Sequence, residues 1–384
     1  MNWGGKLYLP TGMEWAKPQF SRNQVDKAGV VIVKPWPKWG ADDYQEARDE
    51  FVKALEIVNN WRAAHSYPLN CFQTNLRFRA RKVSAKPLVS QRLKRFESIL
   101  KKLDRDQTAT LELSQMQDIG GCRAVLSSCA EVYKLADSYR KQQTKKFAHQ
   151  LVGQGKDYIA NPKPDGYRSV HLIFRWVGPK NNPAWDKLRI EIQIRSIDQH
   201  AWATALETVD ILTKQALKAN QGDEKWKRFF SLASSMIAIR EKSPVVPGTP
   251  EKVEDLHQEL ASLTRDLNVI DFLHGFSLGI QPIYDQKPAT DTAYYLLHLS
   301  VENKKISWIP YGWNQSQEAN ANYTELEQSL KDQAGEHVVL VKAGSLSAIK
   351  RSYPSFFLDT GRFVDLLLNT LGPLGIVPPP ASAG

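Results

Sequence analysis

Lys156-Asp157-Tyr158-Ile159-Ala160-Asn161-Pro162-Lys163-Pro164-Asp165-Gly166-Tyr167-Arg168-Ser169-Val170-His171 opens the stretch that decides the fold, and Ile190-Glu191-Ile192-Gln193-Ile194-Arg195 closes it. Asn-Pro, a second Pro and Asp-Gly break the first part too often for a helix, so it reads as a loop. An apolar strand is expected from Val170 to Trp176. The closing six residues alternate strictly. Ile190, Ile192 and Ile194 share one face, and Glu191, Gln193 and Arg195 share the other. One strand face therefore belongs to a core. A half-exposed strand would account for the polar row by itself. Here the row lies beside a loop carrying Lys156, Lys163, Tyr167 and His171, which suits a phosphorylated, aromatic ligand.

The chain has 384 residues, enough for two domains or three. No apolar run is long enough to cross a bilayer, and Met1-Asn2-Trp3-Gly4-Gly5 lacks the layout of a signal peptide. Cys71, Cys122 and Cys129 form neither a disulfide framework nor a zinc pattern, so a reducing cytoplasm is the expected location. The net charge is +10, and it is concentrated. Ten basic residues lie between Arg77 and Lys102 against the single acid Glu97. Such a block either stays solvated or meets polyanions, whether triphosphates or a nucleic-acid backbone.

Residues 1–41 are rich in Trp, Pro and Gly and read as an irregular arm whose aromatics pack on the body. An amphipathic helix is expected from Asp42 to Ala64, stopped by Pro68. Residues 71–82 read as a strand or an extended basic loop, and a helix is expected from Pro87 through Leu103. Gly120-Gly121 leads into a strand ending at Ser127, and a helix follows from Ala130 to Lys141. Helices then begin near Asp198, read as an N-cap, and at Glu224. The whole span 42–242 reads as one domain, and Ser243 to Pro250 as a linker. Residues 251–372 read as a smaller α+β domain. It opens with an apolar seam of Val253, Leu256, Leu260, Leu263, Leu267 and Ile270, which suits a short coiled coil or packing on the body. Strands are expected at 294–299, 305–309 and 337–342, with helices at 320–331, 346–351 and 361–369. Residues 373–384 read as a disordered tail.

Taken together the motifs resemble a family. Arg92-Leu93-Lys94 with Ser98 and Lys102, Asp118-Ile119-Gly120-Gly121-Cys122-Arg123, the Lys156–His171 loop, Glu191-Ile192-Gln193-Ile194-Arg195 and His200-Ala201-Trp202-Ala203 follow one another in the order seen in the synthetase domain of the RelA/SpoT alarmone synthetases. The chain is most similar to the short, single-function members, over roughly Asp42 to Lys218. The resemblance implies an α+β fold with a nucleotidyltransferase-like mixed β-sheet flanked by helices. It also implies transfer of a pyrophosphate unit from ATP to the 3′-hydroxyl of a guanine nucleotide, leaving AMP. On that footing Arg92, Lys94, Ser98, Lys102 and Arg123 would bind ATP. Asp118 and Glu191 would hold Mg2+, with Glu191 also a candidate base. Lys156, Lys163, Tyr167, His171, Gln193 and Arg195 would contact the acceptor, Tyr167 by stacking on its base. His200 and Trp202 are expected to be structural.

One position departs from the family. Asp165 precedes Gly166 where an Asn is common, which bears on whether the acceptor base is guanine or adenine. No His-Asp dipeptide of the kind found in alarmone hydrolases occurs. Two other functions compete. The same fold could pyrophosphorylate the 3′ end of tRNA through the basic segment 77–102, as a toxin held by a neutralising partner. It could also be an inactive nucleotide- or RNA-binding module, against which the paired carboxylates Asp118 and Glu191 argue. Residues from Glu251 onward are expected to control activity by docking, either on the synthetase part or in a homo-oligomer.

Overall fold

The structure is a computed structural model. It describes residues 15–35, 42–105, 111–141, 148–178, 183–213, 223–273, 281–284, 292–300, 303, 305–330, 333, 336–342 and 360–372. The expected helix at 346–351, the tail 373–384 and the aromatic run at 36–40 lie outside them.

Three helices come first: α1 (Arg22–Val31), α2 (Tyr44–Ala64) and α3 (Ser66–Arg81). The arm read as irregular therefore contains a helix. Ser21 starts it with a capping box, accepting from the Gln24 N–H while the Gln24 side chain accepts from the Ser21 N–H. Of its aromatics among the described residues, Trp15 is buried against Tyr67 and Phe20 packs on the same core, while the Trp185 indole donates to the Ala16 carbonyl. Residues 71–82 are helical rather than extended. Pro68 does not stop the chain, because it sits in the first turn of α3, where no intrahelical N–H is needed.

A second correction concerns residues 88–93. They form strand β1 (Leu88–Leu93), and helix α4 spans only Phe96–Arg105. The apolar stripe through Ile99 and Leu103 is real, but it begins after Lys94. Next come β2 (Gly120–Leu126), α5 (Cys129–Lys141), β3 (Gln150–Leu151), β4 (Lys156–Asp157), β5 (Val170–Arg175) and β6 (Arg189–Ser196). They make a mixed sheet in the order β1-β2-β6-β5-β3, with β4 also paired to β5. Among the described strands of this sheet, β2 and β6 pair in parallel and the others antiparallel. Ile190, Ile192 and Ile194 are fully buried in one core with Leu69, Phe72 and Leu76 of α3 and Leu135 and Tyr139 of α5. This leaves the other face of β6 free to line a cavity.

Helices α6 (Ile197–Thr213), α7 (Glu224–Arg240) and α8 (Val253–Asp266) follow. Asp198 does not act as a simple N-cap; its carboxylate pairs with Arg362 and Arg240. The seam of α8 packs on the body, where Leu256 and Leu260 join the core of α6 and α7. Residues 243–250, expected as a linker, are laid along α7. Val246 is fully buried, its N–H donates to Ser235 Oγ, and the Arg168 guanidinium donates to the Pro244 carbonyl.

Strands β7 (Gln281–Tyr284), β8 (Thr292–Ser300) and β9 (Lys305–Gly312) come next, then α9 (Ser316–Ser329), β10 (Glu336–Lys342) and α10 (Gly361–Leu371). Their sheet runs β10-β8-β9-β7. The last helix, α10, leaves that sheet and buries Phe363, Val364 and Leu367 with α6, α7 and α8. No described helix is long and apolar enough to cross a membrane.

Candidate active site

Strand register builds the site. Arg92 of β1 lies opposite Gly121 of β2, which lies beside Glu191 of β6. One step along, Ser90, Arg123, Gln193, His171 and Lys156 follow across five strands. Registered partners share a sheet face, so the cations and carboxylates converge. Arg92, Lys94, Asp118, Arg123, Glu191 and Gln193, with Ser90, Gly121 and Cys122, line an open cavity of about 430 Å³ including its solvent mouth, and His171 and Lys156 stand outside that lining. Gly121 contributes space, since a Cβ there would meet nothing within 4 Å. Gly120 serves packing instead, since its Cβ would lie 2.8 Å from Ile190 Cδ1.

Asp118 sits between two ammonium groups, with Lys94 Nζ at 2.8 Å and Lys102 Nζ at 3.0 Å. Burial opposes its charge, but the two lysines hold its pKa below the ordinary value. Burial lowers the pKa of Lys94 in turn, against the pull of Asp118. Ser98 precedes Lys102 by one turn on α4, half-buried and outside the cavity lining.

Glu191 ends a relay. Its Oε1 lies 2.9 Å from His171 Nδ1, and its Oε2 accepts from Gln193 Nε2 at 2.7 Å. A carboxylate only accepts, so Nδ1 must donate; in a neutral ring Nε2 then accepts from the Tyr167 hydroxyl at 2.8 Å. Burial works against the Glu191 charge, yet His171 keeps its pKa below the ordinary value. Tyr167 itself is half-buried, edge-on to Tyr158 and His171. Lys163 Nζ rides over the Tyr158 ring at 4.6 Å and the Tyr167 ring at 5.5 Å. Lys156 is exposed at the sheet edge.

Arg195 stands apart from the other predicted residues. It lies two residues beyond Gln193 on the same strand face, is buried there, and donates to His200 Nδ1 at 2.8 Å. Burial and neighbouring Arg123 push its pKa down. Trp202 is a core residue whose indole donates to the Phe230 carbonyl.

The loop is held by Gly166 and Asp165 and by Arg168, to which the sequence assigned no role. Gly166 has φ +87°, and a Cβ there would crowd Ser234 and Trp202 at 3.0 Å. Asp165 Oδ1 accepts from the Tyr167 N–H at 2.9 Å, closing a turn. An Asn oxygen would serve equally, so Asp165 has a structural reason independent of the acceptor base. Arg168 is buried and donates to Ser234 Oγ and to the Pro244 carbonyl. A charged residue in a breaker-rich loop, followed by an apolar strand, was the available signal.

Two carboxylates facing one cationic cavity suit a hard divalent ion that shares its coordination with phosphates. Among the described residues no cluster of three or more His, Cys, Asp or Glu forms a self-sufficient metal site.

Residues 91–210 match the family model described as the region found in RelA / SpoT proteins. The GTP pyrophosphokinase YwaC of Bacillus subtilis (strain 168) is 34% identical over 116 residues, 29% of this chain and 52% of that protein. The GTP pyrophosphokinase YjbM of the same organism is 34% identical over 119 residues, 30% of this chain and 52% of that protein. The chain spans about half the length of these curated relatives. Among solved structures, small alarmone synthetase 2 from Bacillus subtilis aligns with 48% of this chain and 93% of its own, at 26% identity and a TM-score of 0.39.

Proposed function

We propose, from the match of residues 91–210 to the region found in RelA / SpoT proteins, that the chain is an ATP-dependent nucleotide pyrophosphokinase. It moves the β,γ-pyrophosphate of ATP to the 3′-hydroxyl of a purine nucleotide, making an alarmone and AMP. The observation that carries this reading is the single cavity shared by Arg92, Lys94, Arg123, Asp118 and Glu191. Guanine nucleotides are the first acceptors to test, because the curated relatives are named GTP pyrophosphokinases.

In this reading the acceptor 3′-oxygen forms a bond to the β-phosphorus, and the bond from that phosphorus to the oxygen bridging to the α-phosphate breaks. AMP leaves with the bridging oxygen, and the hydroxyl proton is lost. Phosphoryl-type transfer needs in-line positioning and charge neutralisation more than covalent help. Arg92 and Arg123 supply guanidinium forks, and Lys94 and Lys102 supply compact charges. Triphosphate oxygens compete with Asp118 for both lysines, so ATP binding would release the Asp118 carboxylate. Asp118 and Glu191 would then hold Mg2+, which neutralises phosphate charge as a Lewis acid. Glu191, kept ionised by His171, is the base toward the hydroxyl proton. Tyr167 and Lys163 offer the acceptor base a ring and a cation.

The test is to incubate the protein with γ-labelled ATP and, separately, GDP, GTP, ATP and bulk tRNA. Label on a free purine nucleotide supports the proposal. Label confined to tRNA replaces the acceptor by a nucleic-acid end. No labelled product in any arm overturns the activity.

A further inference from the structure

A buried knot joins α9 to the wall of the cavity. Glu327 of α9 accepts from the Phe96 N–H at 3.0 Å and the Tyr323 hydroxyl at 3.0 Å, both through Oε1. Its Oε2 pairs with the Arg62 guanidinium at 3.1 Å. Arg62 in turn donates from Nε to the Lys94 carbonyl at 2.8 Å, and lies 4.5 Å from the Tyr323 ring centre. Glu327 and Arg62 side chains are only 9% and 4% exposed.

These contacts fall on the joint between β1 and α4. Phe96 is the first residue of α4, so Glu327 caps that helix from a segment 231 residues away. The Lys94 main chain is fixed on both sides, its N–H donating to the Ile119 carbonyl and its C=O accepting from Arg62. Lys94 and Lys102 flank the joint, and both ammonium groups reach Asp118. A shift of the joint would move both at once. The positive end of α4 is already satisfied by a carboxylate, so phosphates must be met by side-chain cations.

We infer that Glu327 is a positioning residue of the donor half-site, which the β7–β10 part of the chain helps to build. This rests on Lys94 and Lys102 holding the donor phosphates, as in the reaction proposed above. Expected consequences are specific to ATP. Glu327→Gln keeps the shape and one acceptor oxygen but loses the charge facing Arg62. Arg62→Lys keeps the charge but loses the Nε donor to Lys94.

The test measures binding of α,β-methylene ATP by calorimetry, alongside Michaelis constants for ATP and acceptor. Each variant should weaken analogue binding at least tenfold and raise the ATP constant in parallel, with the acceptor constant within twofold. Amide exchange of residues 94–105 should accelerate. Glu325→Gln, on an exposed position of the same helix, should match wild type. Variants that unfold cooperatively but bind the analogue within twofold of wild type overturn the inference, and so does a uniform loss on both substrates. If Glu327→Gln fails to fold, Arg62→Met/Glu327→Gln removes both charges together, avoids an orphaned buried ion and carries the same expectation. Wild type that binds the analogue but transfers no label sinks the reaction and leaves the positioning role open to this binding assay. Wild type that does not bind the analogue overturns both.

Discussion

In the proposed reaction Glu191 carries both a metal and a base role, and its surroundings define what replacing it should do. Glu191→Gln keeps the shape and one good acceptor, so the fold should survive, with a loss of about 1–2 kcal/mol from the rearranged buried hydrogen bonds. Turnover should fall by roughly 10²–10⁴-fold, the usual reach of a positioned base or charge. Wild-type turnover at saturating divalent metal would refute the role. The pH dependence has a definite sign. His171 holds the Glu191 pKa below its ordinary value of 4.5, so this stabilisation is present above that value and lost as pH falls through the lowered one. The stability gap between wild type and Glu191→Gln should narrow in acid, readable from urea midpoints. Arg92→Ala should raise the Michaelis constant for ATP, whereas Tyr167→Ala should raise that for the acceptor by losing stacking worth roughly 1–3 kcal/mol. Shifts in the ATP constant alone would show that the two halves are wrongly divided. The Glu191/Gln193 row could be read from alternation, because side-chain direction in a strand has period two. The fate of Arg195 could not, because its partner His200 lies on the next helix and one-face membership does not specify depth.

Among the elements, those with unbroken periodicity are legible in the sequence, and the joint between β1 and α4 is not. Leu93, Phe96, Ile99 and Leu103 step like a helix, and that rhythm hid the strand before it. What makes 88–93 a strand is its antiparallel pairing with β2, a partner about 30 residues away that local spacing cannot reveal. Likewise α3 was misjudged because Pro68 is a helix breaker in the interior but not in a first turn. Strand β10 offers a test of its own. Its Lys342 bonds Asn70 and stacks over Trp313 at 4.2 Å, and burial brings its pKa from 10.5 to about 8. Between those values the unfolded chain binds more protons than the folded one, so this group makes stability rise with pH. Lys342→Met should lack that increment. Thermal unfolding of both proteins from pH 8 to 10.5 checks it, and parallel curves would show that Lys342 is ordinarily protonated.

For the whole molecule, the sequence divides at Ser243 while the apolar cores do not. The pattern of prolines suggested a hinge, yet burial of Val246 and the Arg168 contact make 243–250 a packed strap. Proline limits backbone freedom and says nothing about what covers it. If residues from Glu251 onward only docked on a finished synthetase part, a chain ending near Ser243 would fold and stay active; the shared core argues for the opposite outcome. Removing α8 and α10 uncovers Phe229, Phe230 and Leu232, and losing Phe363 alone is worth about 3–5 kcal/mol. The shortened chain should be insoluble or unfold well below the full chain, and should bind no ATP analogue. A cooperative, soluble, active product would show that these helices are dispensable. The burial of α10 against α6 also has a meaning in time. Arg362 and its partner Asp198 are 164 residues apart, so during synthesis α6 and α7 emerge long before the helix that covers them. The nascent chain must carry an uncovered greasy surface through that interval, a natural target for chaperones. Any product of a premature stop in between would keep that surface uncovered and would be a ready substrate for proteolysis.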